Sequence, residues 1–386
     1  MKLRLSAYAA AAMLAATPAF GADPVKIGLL TTLSGPNAAL GIDIRDAFQL
    51  AIKQEGGKLG GVAVNVIVED DELKPDVAKE IATRMVKRDN VSIMTGIVFS
   101  NVAMAVVPGI VRDGIFFISA NAGPSQLAGQ GCHTNYFNVA WQNDNLHEAA
   151  GQYVQTKGYQ NVYILAPNYP AGKDALTGFK RFYKGKLAGE VYTQLGQTDY
   201  AAEIATLRAA NPDAVFYFLP GGLGVAFIKQ FDQAGLKGRV PVVGPGFSFS
   251  QDVLGATGDS ALGVINTSQW NKDIDNPANK SFVAAFQATY GRLPTLYASQ
   301  GYDAARLIAS ALKKAGDPKN TDQFRAALRA ADFQSVRGAF KFGANNHPIQ
   351  DIHVREVVKE NGVLTNKIIS VAFRQHQDAY VSQCKM

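Results

Sequence analysis

Short β-branched and aromatic runs alternate with amphipathic stretches along almost the whole chain, and that alternation narrows the possible folds more than any other feature. The runs at 26–30, 62–69, 91–95, 115–119, 162–166, 190–195, 214–219 and 240–243 mostly carry apolar residues on both parities. A strand with one wet face alternates apolar with polar, whereas runs of this kind belong to parallel strands covered on two sides. Between them, stretches such as 77–87 set Val77, Ile81 and Met85 one above another on a helix face. The predicted class is α/β with parallel sheets.

A four-residue echo divides the chain. Glu80-Ile81-Ala82-Thr83 recurs as Glu203-Ile204-Ala205-Thr206, and each copy lies in a predicted helix followed at the same distance by a strand. Two similar Rossmann-like lobes in tandem follow, the first ending near Trp141 and the second beginning near Asn143. After about Trp270 come helices at 277–290, 296–315 and 321–331, then a hairpin, 351–360 to 363–373. Its turn, Asn361-Gly362, is the strongest short hairpin signal. A tail of this kind returns to both lobes. The expected division is 22–141 with 270–341 for one lobe and 142–269 with 342–386 for the other, joined by a hinge that can close around a ligand.

The first 21 residues have another purpose. Lys2 and Arg4 precede an apolar, Ala-rich run from Leu5 to Ala16, and Ala19 and Gly21 stand where a signal peptidase reads small residues. This predicts a secretory signal peptide, residues 1–21, cleaved after Gly21 and too short for a stable anchor. The mature protein is then expected in the periplasm. Its formal charge falls from +6 to +4 when Lys2 and Arg4 leave, and the excess forms no basic cluster interleaved with aromatics, which argues against nucleic acid as a partner. The two cysteines, Cys132 and Cys384, suit an oxidising compartment. A bond between them would staple the extreme C-terminus to the body; the alternative is a pair of buried thiols.

In open parallel sheets ligands bind outside the carboxyl ends of the strands. That rule selects loops 34–41, 99–101 and 121–123 in the first lobe and 168–173, 220–224 and 246–249 in the second. Ser34, Ser100, Asn101, Asn121, Asn168 and Ser248 offer neutral hydrogen-bonding groups there, while Phe99, Tyr169, Phe247 and Phe249 offer flat walls. Helix N-termini after Gly35-Pro36, Ser100 and Gly123-Pro124 offer free N–H groups suited to a carboxylate. Asp174, at the edge, is the one acid in these loops.

Catalytic and cofactor motifs fail on inspection. Gly222-Leu223-Gly224-Val225-Ala226-Phe227 follows a strand, but Phe227 is too bulky for a dinucleotide fingerprint. The histidines (His133, His147, His347, His353, His376) lack metal-ligand spacing and read as surface or loop residues. Acidic Asp70 to Asp76 lacks the glycine and distal glutamate of a calcium loop. No nucleophile stands with a base. The chain is expected to be neither an enzyme nor a cofactor or metal carrier.

The loops carry a family pattern. "KIGLLTTLSGPNAALG", "EDDELKPDVAKE", "TGIVFSN", "FFISANAGPSQL", "APNYPAGKDAL", "QFDQAGLKGRVPVVGPG" and "YASQGYDAARL" follow in that order. Nearly end to end, the mature chain resembles the periplasmic substrate-binding proteins of branched-chain-amino-acid-type ABC importers, with the type I two-lobe fold. The resemblance implies a monomer that captures a small solute and delivers it to a membrane permease with its ATPase. It also implies a site. Ser100 matches the serine that holds the ligand carboxylate, and the loop Asn121, Ala122, Gly123 supplies further groups to it. Leu40 and Tyr297 match ligand-walling positions, while Ala171 and Pro220 stand where amino-acid binders commonly carry tyrosines, with Tyr169 two residues from Ala171. The departure is Gly246 in "VVGPGFSF", where amino-acid binders place a glutamate that pairs with the ligand's ammonium.

A buried ammonium without a carboxylate partner costs several kcal/mol, on the order of a lost buried ion pair. The expected ligand therefore has no α-amino group. Gly246 is also expected to leave space in the cleft, where Phe247, Phe99, Tyr169, Tyr297 and Trp270 stack on a ring; Trp270 packs at the lobe junction in the alternative reading. "TSQWNKDIDNPANK" and "TLYASQGYDAA" are similar to a sub-group that takes up aromatic carboxylates. The expected solute is a benzoate- or hydroxycinnamate-like acid, the alternatives being branched-chain amino acids, amides, urea or short aliphatic acids.

Overall fold

The computed structural model describes residues 23–386, so the predicted signal peptide lies outside the described residues. The elements in chain order are β1 (Val25–Thr31), α1 (Ala38–Gln54), β2 (Lys58–Leu59), β3 (Val62–Asp70), α2 (Pro75–Lys87), β4 (Ile93–Gly96), α3 (Ser100–Arg112), β5 (Phe116–Ser119), α4 (Ser125–Ala128) and β6 (Tyr136–Asn138). Next come α5 (Asn145–Thr156), β7 (Asn161–Pro167), α6 (Pro170–Phe182), β8 (Lys186–Thr193), α7 (Ala201–Ala210), β9 (Ala214–Tyr217), α8 (Gly222–Gln233), β10 (Val242–Pro245), α9 (Gln251–Thr257) and β11 (Ile265–Ser268). The last are α10 (Pro277–Tyr290), α11 (Leu296–Ala315), α12 (Thr321–Ala330), β12 (Lys341–Phe342), β13 (Pro348–Glu360) and β14 (Val363–His376).

Two sheets result. The first runs β2-β3-β1-β4-β5-β6, and the second runs β12-β13-β11-β10-β9-β7-β8 with β14 on β13. Within the first, β3-β1-β4-β5-β6 are parallel, as are β8-β7-β9-β10-β11 in the second. The two orders are the same connectivity used twice, so the echo at Glu80 and Glu203 falls on equivalent helices, α2 and α7. Central strands β4, β5 and β9 are buried at every position, as both-parity apolar runs require. Two strands of the parallel set were not expected from sequence: β6 and β11 are only three and four residues long and carry Asn138, Asn266 and Thr267.

Helices begin where local chemistry provides a start. Pro75 and Asp76 open α2, with Arg84 and Lys87 in its last turn, complementing the helix dipole at both ends. The Asn276 side chain accepts from Asn279 N at α10, and the Thr295 side chain accepts from Ala298 N at α11. Helix α11 then lies on α1, and the approach is close: a Cβ on Gly301 would stand 2.2 Å from the Ile44 carbonyl oxygen. Helices α10 and α11 are tied to α1 by Tyr290 Oη donating to Asp46 O (2.6 Å), Thr295 Oγ1 donating to Asp43 (2.6 Å) and the Arg292–Asp43 pair.

The chain therefore crosses between the sheets three times: after β6, between β11 and α10, and between α12 and β12. A fourth link is covalent. Cys132, between α4 and β6, is disulfide-bonded to Cys384, at the end of the tail that leaves β14. The expected switch after residue 341 falls inside β12, since Lys341 already pairs with Ile349. Among the described residues no helix is long and apolar enough to cross a membrane.

Candidate ligand cleft

The carboxyl ends of both sheets meet around a narrow gap that is partly open to solvent. Fifteen residues line it: Leu40, Val98, Phe99, Ser100, Asn121, Ala122, Trp141, Asn143, His147, Tyr169, Ala171, Phe218, Pro220, Phe247 and Tyr297. None is Asp, Glu, Lys or Arg. Such a lining suits a small, mostly apolar guest.

One end is polar. Ser100 opens the 13-residue helix α3, with Phe99 before it, so the first backbone N–H groups of α3 have no partner within the helix. Asn143 Nδ2 donates to Ser100 Oγ at 3.1 Å, which occupies the hydroxyl as an acceptor and leaves its proton to give away. The same Asn143 donates to Asp174 Oδ2 (2.9 Å) and accepts from Gly123 N (3.1 Å), so this one side chain fixes the serine, the 121–123 loop and helix α6. Asn121 Nδ2 donates to Val98 O at 2.6 Å, and Asn121 Oδ1 has no partner among the described residues.

The remaining wall is aromatic. Trp141 meets Phe247 edge-on at 4.2 Å between centroids, Phe247 adjoins Phe218 (5.6 Å) and Tyr297 (6.4 Å), and Tyr169 lies parallel to Phe218 at 6.2 Å. His147 closes this wall, ringed by Phe216, Phe218 and Phe247.

Ten sequence-predicted positions line the gap: Leu40, Phe99, Ser100, Asn121, Ala122, Tyr169, Ala171, Pro220, Phe247 and Tyr297. Three do not. Gly123 sits behind it, where a Cβ would meet the Trp141 carbonyl oxygen at 2.2 Å. Trp270 packs on Phe282 and donates its indole N–H to Asn279 Oδ1 (2.7 Å), placing it at the junction rather than in the cleft. Gly246 also stands behind the wall, and the space expected from it is filled: its Cβ would lie 2.7 Å from Arg355 Nη2 and 3.0 Å from Leu296 Cδ2.

Arg355 is the unexpected group. It is fully buried, and its guanidinium donates to Asn266 Oδ1 (2.6 and 2.9 Å), Trp270 O (3.0 Å) and Asn271 Oδ1 (3.2 Å), with no carboxylate in ion-pair range among the described residues. Burial pushes its pKa down to about 9, so it stays charged at neutral pH. A positive charge therefore stands immediately behind residue 246. Asp174, the one acid of the loops, faces elsewhere: Ser125 N (3.0 Å), Ser125 Oγ (2.7 Å) and Asn143 all donate to it, and burial lifts its pKa above the usual carboxylate value.

Val98, Trp141, Asn143, His147 and Phe218 were missed by the sequence reading. Three of them share a cause. Strand β6 has only three residues and gives no periodicity to read, and Trp141, Asn143 and His147 lie in the segment that follows its carboxyl end. The reading of the histidines as surface or loop residues also fails for His147 and His353, which are buried in α5 and β13. Ser248, by contrast, turns inward to accept from Leu219 N (3.0 Å), and Phe249 packs on Tyr217 in the core.

A family model described as periplasmic binding protein matches residues 24–362. The chain belongs to the periplasmic binding protein family. This binding protein is 31% identical to a solute-binding protein of an ABC transporter from Rhodopseudomonas palustris, solved in complex with benzoate. The likeness covers 94% of this chain and 100% of that one with a TM-score of 0.89. A second solute-binding protein from Rhodopseudomonas palustris, in complex with 3,4-dihydroxybenzoic acid, is 30% identical over 92% of this chain and 99% of that one, with a TM-score of 0.85. Leu/Ile/Val-binding protein homolog 6 of Brucella melitensis is 27% identical, covering 97% of both chains.

Proposed function

We propose that the protein is the extracytoplasmic solute receptor of an ABC importer and that its solute is an aromatic carboxylate of the benzoate or hydroxycinnamate type. One observation carries the reading: a ring-walled gap with no charged lining residue, whose polar end combines a free serine proton with a helix N-terminus. Such an end suits a carboxylate without a lysine or arginine in contact, and Arg355 behind Gly246 supplies a field of the favourable sign. An ammonium would find no acid to pair with and a guanidinium nearby. The benzoate and dihydroxybenzoate complexes of relatives at 30–31% identity support the same solute class.

In this reading the solute leaves unchanged, handed to a membrane permease and its ATPase, so the protein is a receptor and not an enzyme. It acts as a monomer in the periplasm after its signal peptide is removed. The bodies that move are 22–141 with 270–341 and 142–269 with 342–386, turning on the three crossings.

A thermal-shift screen tests the solute class. Benzoate or p-coumarate at 100 times Kd should stabilise the protein by about 2.7 kcal/mol, while leucine, valine and urea leave the melting temperature unchanged. A shift with leucine and none with any aromatic acid would overturn the proposal. At the polar end, Ser100→Ala should weaken binding of the aromatic acid by about 1–3 kcal/mol in calorimetric titration, the worth of a charge-assisted bond. Unchanged affinity would remove the serine from the site.

A further inference from the structure

We infer that His147 reads a neutral hydroxyl on the ring of the solute, so that the preferred cargo is a hydroxylated aromatic acid rather than an unsubstituted one. This rests on the aromatic-carboxylate reading above and sharpens it.

His147 lies in the first turns of α5, is 1% exposed and lines the gap. Its surroundings are rings: Phe218 at 5.0 Å and Phe216 at 5.8 Å, both edge-on, and Phe247 at 5.9 Å, tilted. Among the described residues its Nδ1 has no hydrogen-bond partner. Most buried imidazoles donate one nitrogen to a carbonyl or carboxylate, and a buried polar atom left unpaired calls for an explanation. As a packing residue, His147 would be a poor choice, because a phenylalanine would fill the same place among the same rings without an orphaned nitrogen. As a recognition residue it fits, since the gap it lines is where a partner arrives.

The chemistry of that partner follows from the state of the ring. Burial pushes the His147 pKa down to about 3, so the imidazole is neutral at any pH the periplasm meets. A neutral imidazole offers one N–H and one lone pair. It can donate to a hydroxyl or accept from one, and it has no charge with which to hold a second carboxylate. An unsubstituted ring closing on His147 would leave the imidazole unpaired and dry, whereas a ring hydroxyl recovers the bond. Rejection of the analogue that lacks a hydroxyl is strongest where a site is left with unpaired polar groups.

The experiment measures Kd by calorimetry for benzoate, the three monohydroxybenzoates, 4-methylbenzoate and p-coumarate, on the full mature chain and on His147→Phe and His147→Gln. In the parent, at least one hydroxylated acid should bind about 5- to 150-fold more tightly than benzoate, the cost of leaving a buried polar group unpaired. His147→Phe should bring that ratio to near one, the hydroxylated acids losing more affinity than benzoate and 4-methylbenzoate. His147→Gln, which keeps a donor and an acceptor, should restore part of the ratio. Loss of packing alone would weaken all the acids together and leave the ratio standing, which would overturn the inference. If His147→Phe does not fold, the parent still decides: benzoate binding as tightly as every hydroxylated acid overturns the role given to His147 and leaves the solute class intact. Binding by none of these acids overturns the solute class itself.

Discussion

Replacing both cysteines with serine should lower the stability of the protein more than any substitution in the cleft. The two sulfurs join positions 252 residues apart, and closing a loop of that length in the unfolded chain corresponds to about 5 kcal/mol in the chain-entropy model. For a chain of this size that is a fall of about 5–7 °C in Tm. The bond does more than shorten the unfolded chain. The tail carrying Cys384 leaves β14 and lies first on the second lobe, where His376 is 2.5 Å from Glu148 Oε2 and Tyr380 Oη donates to Asp144 Oδ2 at 2.9 Å. It then reaches Cys132, which precedes β6 of the first sheet. The disulfide is thus a strap between lobes, and cutting it should also let the unliganded protein open wider. Calorimetry in non-reducing buffer measures the first effect and small-angle scattering of the unliganded protein the second. Both cysteines are partly exposed, so adding reductant to the parent should reproduce the double variant. A melting temperature indifferent to both treatments would show that the non-covalent tail contacts alone hold the C-terminus.

What the sequence disclosed, and what it withheld, divides along physical lines. Strands buried on two faces announce themselves because apolar residues fall on both parities, and β1, β4, β5, β7 and β9 are all legible for that reason. Strand β11 was not, because its polar residues are satisfied only by tertiary partners: Asn266 donates to Asn366 Oδ1 at 2.8 Å, and Thr267 Oγ1 to Leu146 O at 2.6 Å. No window of sequence contains those pairs. The cleft follows the same rule. Residues on loops that end recognisable strands, such as Ser100, Asn121 and Tyr169, could be named in advance. Asn143 and His147 depend on β6, whose three residues give no periodicity to read. The missing acid at 246 was visible as a glycine, but the reason a side chain has no room there was not. Arg355 occupies that place from β13, a strand that reaches the second sheet only after the chain has crossed to the first lobe and returned.

Asp303→Ala should cost about 3–5 kcal/mol, because it leaves a fully buried guanidinium without its counter-charge. Arg337 and Asp303 are 1% and 0% exposed at their side chains, and Arg337 Nε donates to Asp303 Oδ2 at 3.0 Å. Their position explains why a fold would keep so costly a pair. Asp303 belongs to α11 on the first lobe. The Arg337 Nη1 atom donates to Ala140 O (2.9 Å), on the first crossing, and to Gln350 Oε1 (2.8 Å), on β13 of the second sheet. Gln350 Nε2 in turn donates to Ala140 O at 2.7 Å, and Ser335 Oγ to Asp303 Oδ2 at 2.6 Å. One guanidinium thus holds two of the three crossings in register with both lobes, at the point about which closure must turn. An apolar pair of similar volume, Asp303→Leu with Arg337→Met, should recover most of the stability, since removing both charges also removes the desolvation penalty. It should not recover the register, because the bonds to Ala140 and Gln350 go with the arginine. The double variant is therefore expected to melt near the parent yet bind its solute more weakly, and calorimetric titration beside thermal melting separates the two effects. A single variant that loses less than about 1 kcal/mol would mean that water reaches Arg337, and a double variant with parental affinity would mean that closure turns on the other crossing.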